Sequence, residues 1–165
     1  MMGKRYVHSV LWLIEPAWRD MNIFDFAVEK ELHAENAYRD LAARTDNAVL
    51  QGILLRLADQ EASHAAALRR RKWRSGQASA EMIAPVNVDK LLDHVREQFR
   101  EAMPESEQEL YQNALELESE SRELYLDLAN RDENVGVRDL LLMLAEQEEN
   151  HHRVLAGVLK VFSSL

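Results

Sequence analysis

The sequence predicts an all-α protein: a four-helix bundle of two repeated antiparallel hairpins, joined by a long crossover that carries a short extra helix. Three observations predict it. From Asn22 onward the apolar residues follow helical spacing, with only five Gly and three Pro in 165 residues and none of the alternation that marks strands. Residues 27–68 align without a gap to 114–155 at a constant offset of 87, and 17 of the 42 pairs are identical, several-fold above chance. Each copy carries a short polar turn near its middle, while a long stretch separates the copies, as expected of two hairpins and a crossover.

The first helix, α1, is expected over about 22–45, with Asn22 as its N-cap and Asp25 three residues later in the manner of a capping box. Thr45-Asp46-Asn47 is a tight turn rich in capping residues, and α2 follows to about Arg74. The segment 75–86 (SGQASAEMIAPV) reads as a linker. A shorter α3, about 88–102, leads to Pro104, a natural first-turn residue for α4 at about 105–131, whose Glu105 and Glu107 favour the N-terminal dipole. Arg131 to Asn134 forms the second tight turn, and α5 runs from there to near the C-terminus.

This length fits one domain. We divide the chain into an N-terminal extension, 1–20, and a helical domain, 21–165, with repeat halves 22–74 and 105–163 and crossover 75–104. Hydrophobic residues make up 47% of the chain, too much for disorder, and Gly and Pro are too few for an all-β fold. The complete lack of Cys excludes disulfides, thiolate zinc sites, iron–sulfur clusters and cysteine nucleophiles. Any metal must be held by His and carboxylate. With 29 acidic against 20 basic residues and a net charge of -9, nucleic acid and anionic membranes are poor partners, and no apolar run approaches the roughly 20 residues of a membrane span. Lys4-Arg5 followed by Tyr6 to Ile14 imitates a signal peptide, but Glu15 and Pro16 interrupt it and no small-residue cleavage site follows. The expectation is a cytoplasmic protein whose Trp12 and Trp18 pack on the domain or a partner. Met21 is an alternative start.

The inward faces carry an anomaly. That of α2 reads Leu50, Leu54, Leu57, Glu61, His64, Leu68, and that of α5 reads Leu141, Leu144, Glu148, His151, Leu155. In α1 the face is Phe24, Val28, Glu31, Ala34, Tyr38, Leu41, and in α4 it is Ala114, Glu118, Ser121, Tyr125, Leu128. A buried unpaired carboxylate costs several kcal/mol, so four in one core require compensating positive charge. Glu31 and Glu61 lie 15 residues either side of Asp46, and Glu118 and Glu148 lie 15 either side of Glu133. Within each hairpin the two carboxylates therefore stand level, roughly 22 Å from the turn at the usual helical rise. Glu61 with His64, and Glu148 with His151, are i, i+3 pairs on one face.

One Glu from each of two helices, with Glu-x-x-His from each of the other two, is the pattern of a dinuclear carboxylate site in a helix bundle. Two divalent cations would balance four carboxylates, and oxygen-rich ligands with two imidazoles suit iron or manganese, with zinc as a competitor. Tyr38 and Tyr125, seven residues after Glu31 and Glu118, share those faces. Their buried hydroxyls want partners, and bonds to the ligand carboxylates across the bundle are expected. Glu29 and Glu116 lie about 200° around the helix from the ligands and read as solvated. His8, His33, His94 and His152 read as surface or packing residues, and Arg69 to Arg74 as the basic end of α2.

The repeated pattern E-x6-Y-x2-LA followed by LA-x-Q-E-x2-H resembles the rubrerythrin branch of the ferritin-like superfamily over about 22–160. The resemblance implies Glu31, Glu61, His64, Glu118, Glu148 and His151 as ligands of two iron ions, with Glu61 and Glu148 bridging. It also implies an oxidoreductase of the oxidative-stress type, reducing hydrogen peroxide or dioxygen, in a homodimer. Two departures matter. Rubrerythrins proper carry a rubredoxin-like module with a four-cysteine iron centre, which this chain lacks, so an external donor such as a rubredoxin-type or flavin protein is required. They also place an extra carboxylate one turn beyond the Glu of the third bundle helix, where this chain has Ser121 followed by Arg122. The alternatives are a ferroxidase that handles iron and a redox-inert, metal-stabilised interaction module.

Overall fold

The computed structural model describes residues 23–73, 87–98 and 103–164. The extension 1–20 with His8, Trp12 and Trp18, the Asn22 cap, the linker 75–86, Arg74 and the end expected for the short helix all lie outside these residues. So do the side chains of Arg71 to Trp73, while Arg69 and Arg70 are exposed. Among the described residues all regular structure is helical: α1 (Ile23–Arg44), α2 (Ala48–Trp73), α3 (Val88–Gln98), α4 (Glu105–Arg131) and α5 (Val135–Ser163). None of these helices is long and apolar enough to cross a membrane.

The repeat extends to the caps. Asn47 Oδ1 accepts from the backbone N–H of Val49 at 2.9 Å and of Leu50 at 3.2 Å, and its repeat partner Asn134 accepts from Val137 N–H at 3.1 Å. Each satisfies donors that the first helical turn leaves open. Thr45 Oγ1 and Asp132 Oδ1 brace the two turns by accepting from the N–H groups of Asn47 and Asn134. Pro104 sits one position earlier than expected. With ψ at 143° it is the extended N-cap of α4 rather than a first-turn residue, and its carbonyl accepts from Glu107 and Gln108 N–H.

Long, closely packed interfaces join α1 to α2 and α4 to α5, and the two hairpins meet where α1 faces α4 and α2 faces α5. The apolar core falls into two halves. One, at the α1–α2 turn, gathers Leu41, Leu50, Leu54, Leu57, Tyr111, Ala114, Val154, Leu155, Val158 and Phe162. The other, at the α4–α5 turn, gathers Ala27, Val28, Ala65, Leu68, Tyr125, Ala129, Leu140, Leu141 and Leu144. The ionisable layer lies between them. Phe24 and Leu128, at the ends of the expected inward faces, are only half-buried.

Helix α3 lies along α5, burying Val88 and Val95 with Leu91 and Leu92 packed beside them. Gly157 leaves room for Leu92: a Cβ there would come within 2.4 and 2.6 Å of the two methyl carbons of Leu92. Gly157→Leu is expected to lower stability by about 1–3 kcal/mol, the usual cost of overpacking, even though leucine is the better helix former. Thermal unfolding checks this, and adding Leu92→Ala should recover most of the loss.

Candidate metal centre

Four helices deliver six ionisable side chains to the layer between the apolar halves. Glu31 comes from α1, Glu61 and His64 from α2, Glu118 from α4, and Glu148 and His151 from α5; none is more than 1% exposed. The i, i+3 spacing aims Glu61 with His64, and Glu148 with His151, inward together. His64 Nδ1 lies 2.9 Å from Glu31 Oε2, 3.1 Å from Glu61 Oε2 and 3.3 Å from Glu148 Oε1. His151 Nδ1 lies 2.7 Å from Glu61 Oε1 and 3.5 Å from Glu118 Oε2. The two imidazoles stack with centroids 5.6 Å apart and planes at 11°.

These atoms form two overlapping sets, each with its ligand atoms within 4.8 Å of one another: Glu31, Glu61, His64, Glu148 and Glu61, Glu118, Glu148, His151. Each set could hold a metal ion. Glu61 and Glu148 belong to both, so a carboxylate at either position faces both places at once. All six sequence-predicted residues meet here.

Each tyrosine reaches across to the opposite hairpin. The Tyr38 hydroxyl donates to Glu118 and the Tyr125 hydroxyl to Glu31, as α1 and α4 allow when they run antiparallel. Burial, with Glu118 and Glu61 nearby, pushes the Tyr38 phenol well above its ordinary range. It therefore stays protonated and remains a donor.

Without a metal the layer manages its charge with protons. Burial raises Glu31 well above the carboxylate range, and the neighbouring Glu61 adds to this. Glu148 is raised likewise, by burial and then by Glu61, Glu31 and Glu118. Burial would also raise Glu61, but the attraction of His151 and then His64 drives it below the usual range. For the two histidines burial opposes protonation, yet hydrogen bonds to Glu148, Glu31 and Glu61 raise His64, and the charge of Glu61 lifts His151 to about 9. Two carboxyls and two imidazoles with raised proton affinity are the metal-free answer to a charge problem that two divalent cations would solve differently.

The donor chemistry fits such cations. Glu61 Oε1, Glu118 Oε2, Glu148 Oε1 and His151 Nδ1 are sealed from water and, beyond the close approaches of carboxylate to imidazole given above, have no aligned hydrogen bond. Buried polar atoms normally find well-aligned partners, and these four converge instead. Ser121, one turn beyond Glu118, is buried at 4% exposure. Arg122 turns outward and pairs with Glu149 at 3.0 Å, so it brings no charge to the layer.

Among the described residues, the other Glu and His singled out in the sequence stay away from the layer. Glu29, Glu116, His33 and His94 are exposed and His152 is half-buried. Sequence reasoning passed over Gln60 and Gln147, which are both buried. Gln60 Oε1 lies 3.2 Å from His151 Nε2. Their identity across the repeat, within LADQEASH and LAEQEENH, was the available signal.

A search of curated proteins finds no match. A hypothetical protein from Pyrococcus furiosus shares the fold, with a TM-score of 0.62 at 21% identity, over 86% of this chain and 89% of that one. The family model for rubrerythrin matches residues 22–159, a span that includes all but the last turn of the two hairpins, both tyrosines and all six buried Glu and His residues, and the chain belongs to the rubrerythrin family.

Proposed function

We propose that the layer binds two iron ions and that the protein is a di-iron oxidoreductase, reducing hydrogen peroxide or dioxygen with electrons from an external donor. The observation that carries this reading is the pair of overlapping four-residue sets sharing Glu61 and Glu148. In it Glu31 and His64 would help hold one ion and Glu118 and His151 the other, while Glu61 and Glu148, which belong to both sets, would serve both. Manganese or zinc could substitute in so oxygen-rich a site. In the ferrous state the two ions would supply one electron each, which with two protons reduces one peroxide to two waters.

The protein's own part is to hold this set in place and keep it dry. The tyrosine hydroxyls donate to Glu118 and Glu31 from across the bundle and so hold the two carboxylates in place. The two apolar halves close the layer above and below, which strengthens its electrostatic interactions. With no cysteine the chain offers no thiolate relay, so a rubredoxin-type or flavin protein is the expected donor. We read the assembly as a homodimer.

Stopped-flow mixing of anaerobic, ferrous-loaded protein with peroxide and with dioxygen tests the activity. Oxidation within seconds by peroxide is expected, and failure of both oxidants over minutes would overturn the redox reading. Light scattering separates a dimer from the hollow shell that iron storage requires.

A further inference from the structure

Outside the six carboxylate and imidazole side chains, one contact reaches a histidine of the layer from the far side of its ring. His151 presents Nδ1 to Glu61 and Glu118, while its Nε2 lies 3.2 Å from Oε1 of Gln60, a residue of α2 with no exposed surface. An amide oxygen can only accept. The hydrogen must therefore sit on Nε2, which leaves the Nδ1 lone pair turned into the layer whenever the ring is neutral.

The repeat relates Gln60 to Gln147 and His151 to His64 by the same offset of 87 residues. His64 likewise directs Nδ1 at the carboxylates. Its Nε2 is buried without a hydrogen-bond partner, and so is Oε1 of Gln147. The same two atom types that meet at His151 are thus both present and both unpaired at His64.

We propose that Gln60 and Gln147 are positioning residues for the two imidazoles, each accepting from a histidine Nε2–H across the α2–α5 interface and so fixing Nδ1 as the metal-facing nitrogen. This rests on the metal-centre reading above. One contact is made and the other is open, so the place served by His151 is organised in advance. The place served by His64 becomes so when Gln147 closes on its ring. Outlying hydrogen-bond partners of ligand histidines typically contribute about 10–100-fold in metal affinity.

Cobalt(II) titration of metal-free protein, followed by calorimetry and visible absorption, tests the proposal. Wild type is expected to take up two ions. Gln60→Leu should weaken one of them about 10–100-fold with the helical circular dichroism unchanged, and Gln147→Leu should weaken the other. Gln60→Glu keeps an acceptor and should restore most of the affinity, while Gln60→Met repeats the test with an unbranched side chain. In zinc-loaded protein, the His151 Nε2–H should give a slowly exchanging proton resonance that Gln60→Leu abolishes. Unchanged cobalt affinity in the Leu and Met variants, or an unchanged resonance, would overturn the proposal while leaving the metal centre standing. Failure of wild type to bind cobalt would overturn both.

Discussion

Glu61→Ala and Glu148→Ala are each expected to abolish binding of both metal ions, whereas Glu31→Ala should leave one ion in place. The asymmetry follows from membership in the two sets. Glu31 belongs to the set built around His64, while Glu61, Glu118, Glu148 and His151 form the other without it. Removing Glu31 spoils one place and leaves the other's donors untouched. Removing Glu61 takes an oxygen from each place and deprives both imidazoles of the partner that stands 3.1 Å from His64 and 2.7 Å from His151. Loss of a direct carboxylate ligand should weaken binding by more than about a hundredfold, the upper end of what an outlying hydrogen-bond partner contributes. Metal content after dialysis against a weak chelator, with circular dichroism to confirm the helices, reads the result. Equal losses in all three variants would contradict the assignment of Glu61 and Glu148 as shared.

The second large effect is on stability, and it changes sign with the metal. In metal-free protein His64 and His151 sit above their unfolded value near 6.5, His151 at about 9. Their contribution is fully present below pH 6.5 and is lost as pH rises through the folded values. Glu31 and Glu148 are also raised, so the folded chain holds more protons than the unfolded one above about pH 4.5. Both pairs act in one direction. Only Glu61, held low, opposes them, and its contribution is lost as the solution becomes strongly acidic. Metal-free protein should therefore lose stability from about pH 5 to pH 9, at up to about 1.4 kcal/mol per pH unit for each extra proton held.

Metal reverses this slope, because ligation needs bare carboxylates and neutral imidazoles. A free metal concentration a thousandfold above Kd adds about 4 kcal/mol, which for a chain of this size raises Tm by about 8–16 °C. The gap between loaded and metal-free protein should widen as pH rises from 6 to 8. A gap that narrows would mean that the ions do not displace these protons.

Much of this was legible in the sequence because the repeat is strong and helical spacing is a local property. The offset of 87 paired Glu31 with Glu118, Glu61 with Glu148 and His64 with His151, and the distance to each turn set their heights. What the repeat could not supply was the choice of partner between hairpins. Buried hydroxyls on those faces call for bonds from Tyr38 and Tyr125 to ligand carboxylates across the bundle, but that the partners are Glu118 and Glu31 depends on α1 and α4 facing one another. Gln60 escaped notice because glutamine on a helix is ordinarily a surface residue, and only packing of α2 against α5 brings it to His151. The seat of α3 was hidden for a similar reason. A lone glycine within a helical pattern reads as a local cost, and the close approach of Leu92 to Gly157 exists only once the crossover has folded back.

Metal analysis of protein purified without added metal tests the central claim most directly. The account predicts about two irons per chain, as a dinuclear bundle site requires. A chain recovered with its six buried ligands intact and no bound metal, or with a single zinc that iron does not displace, would contradict it.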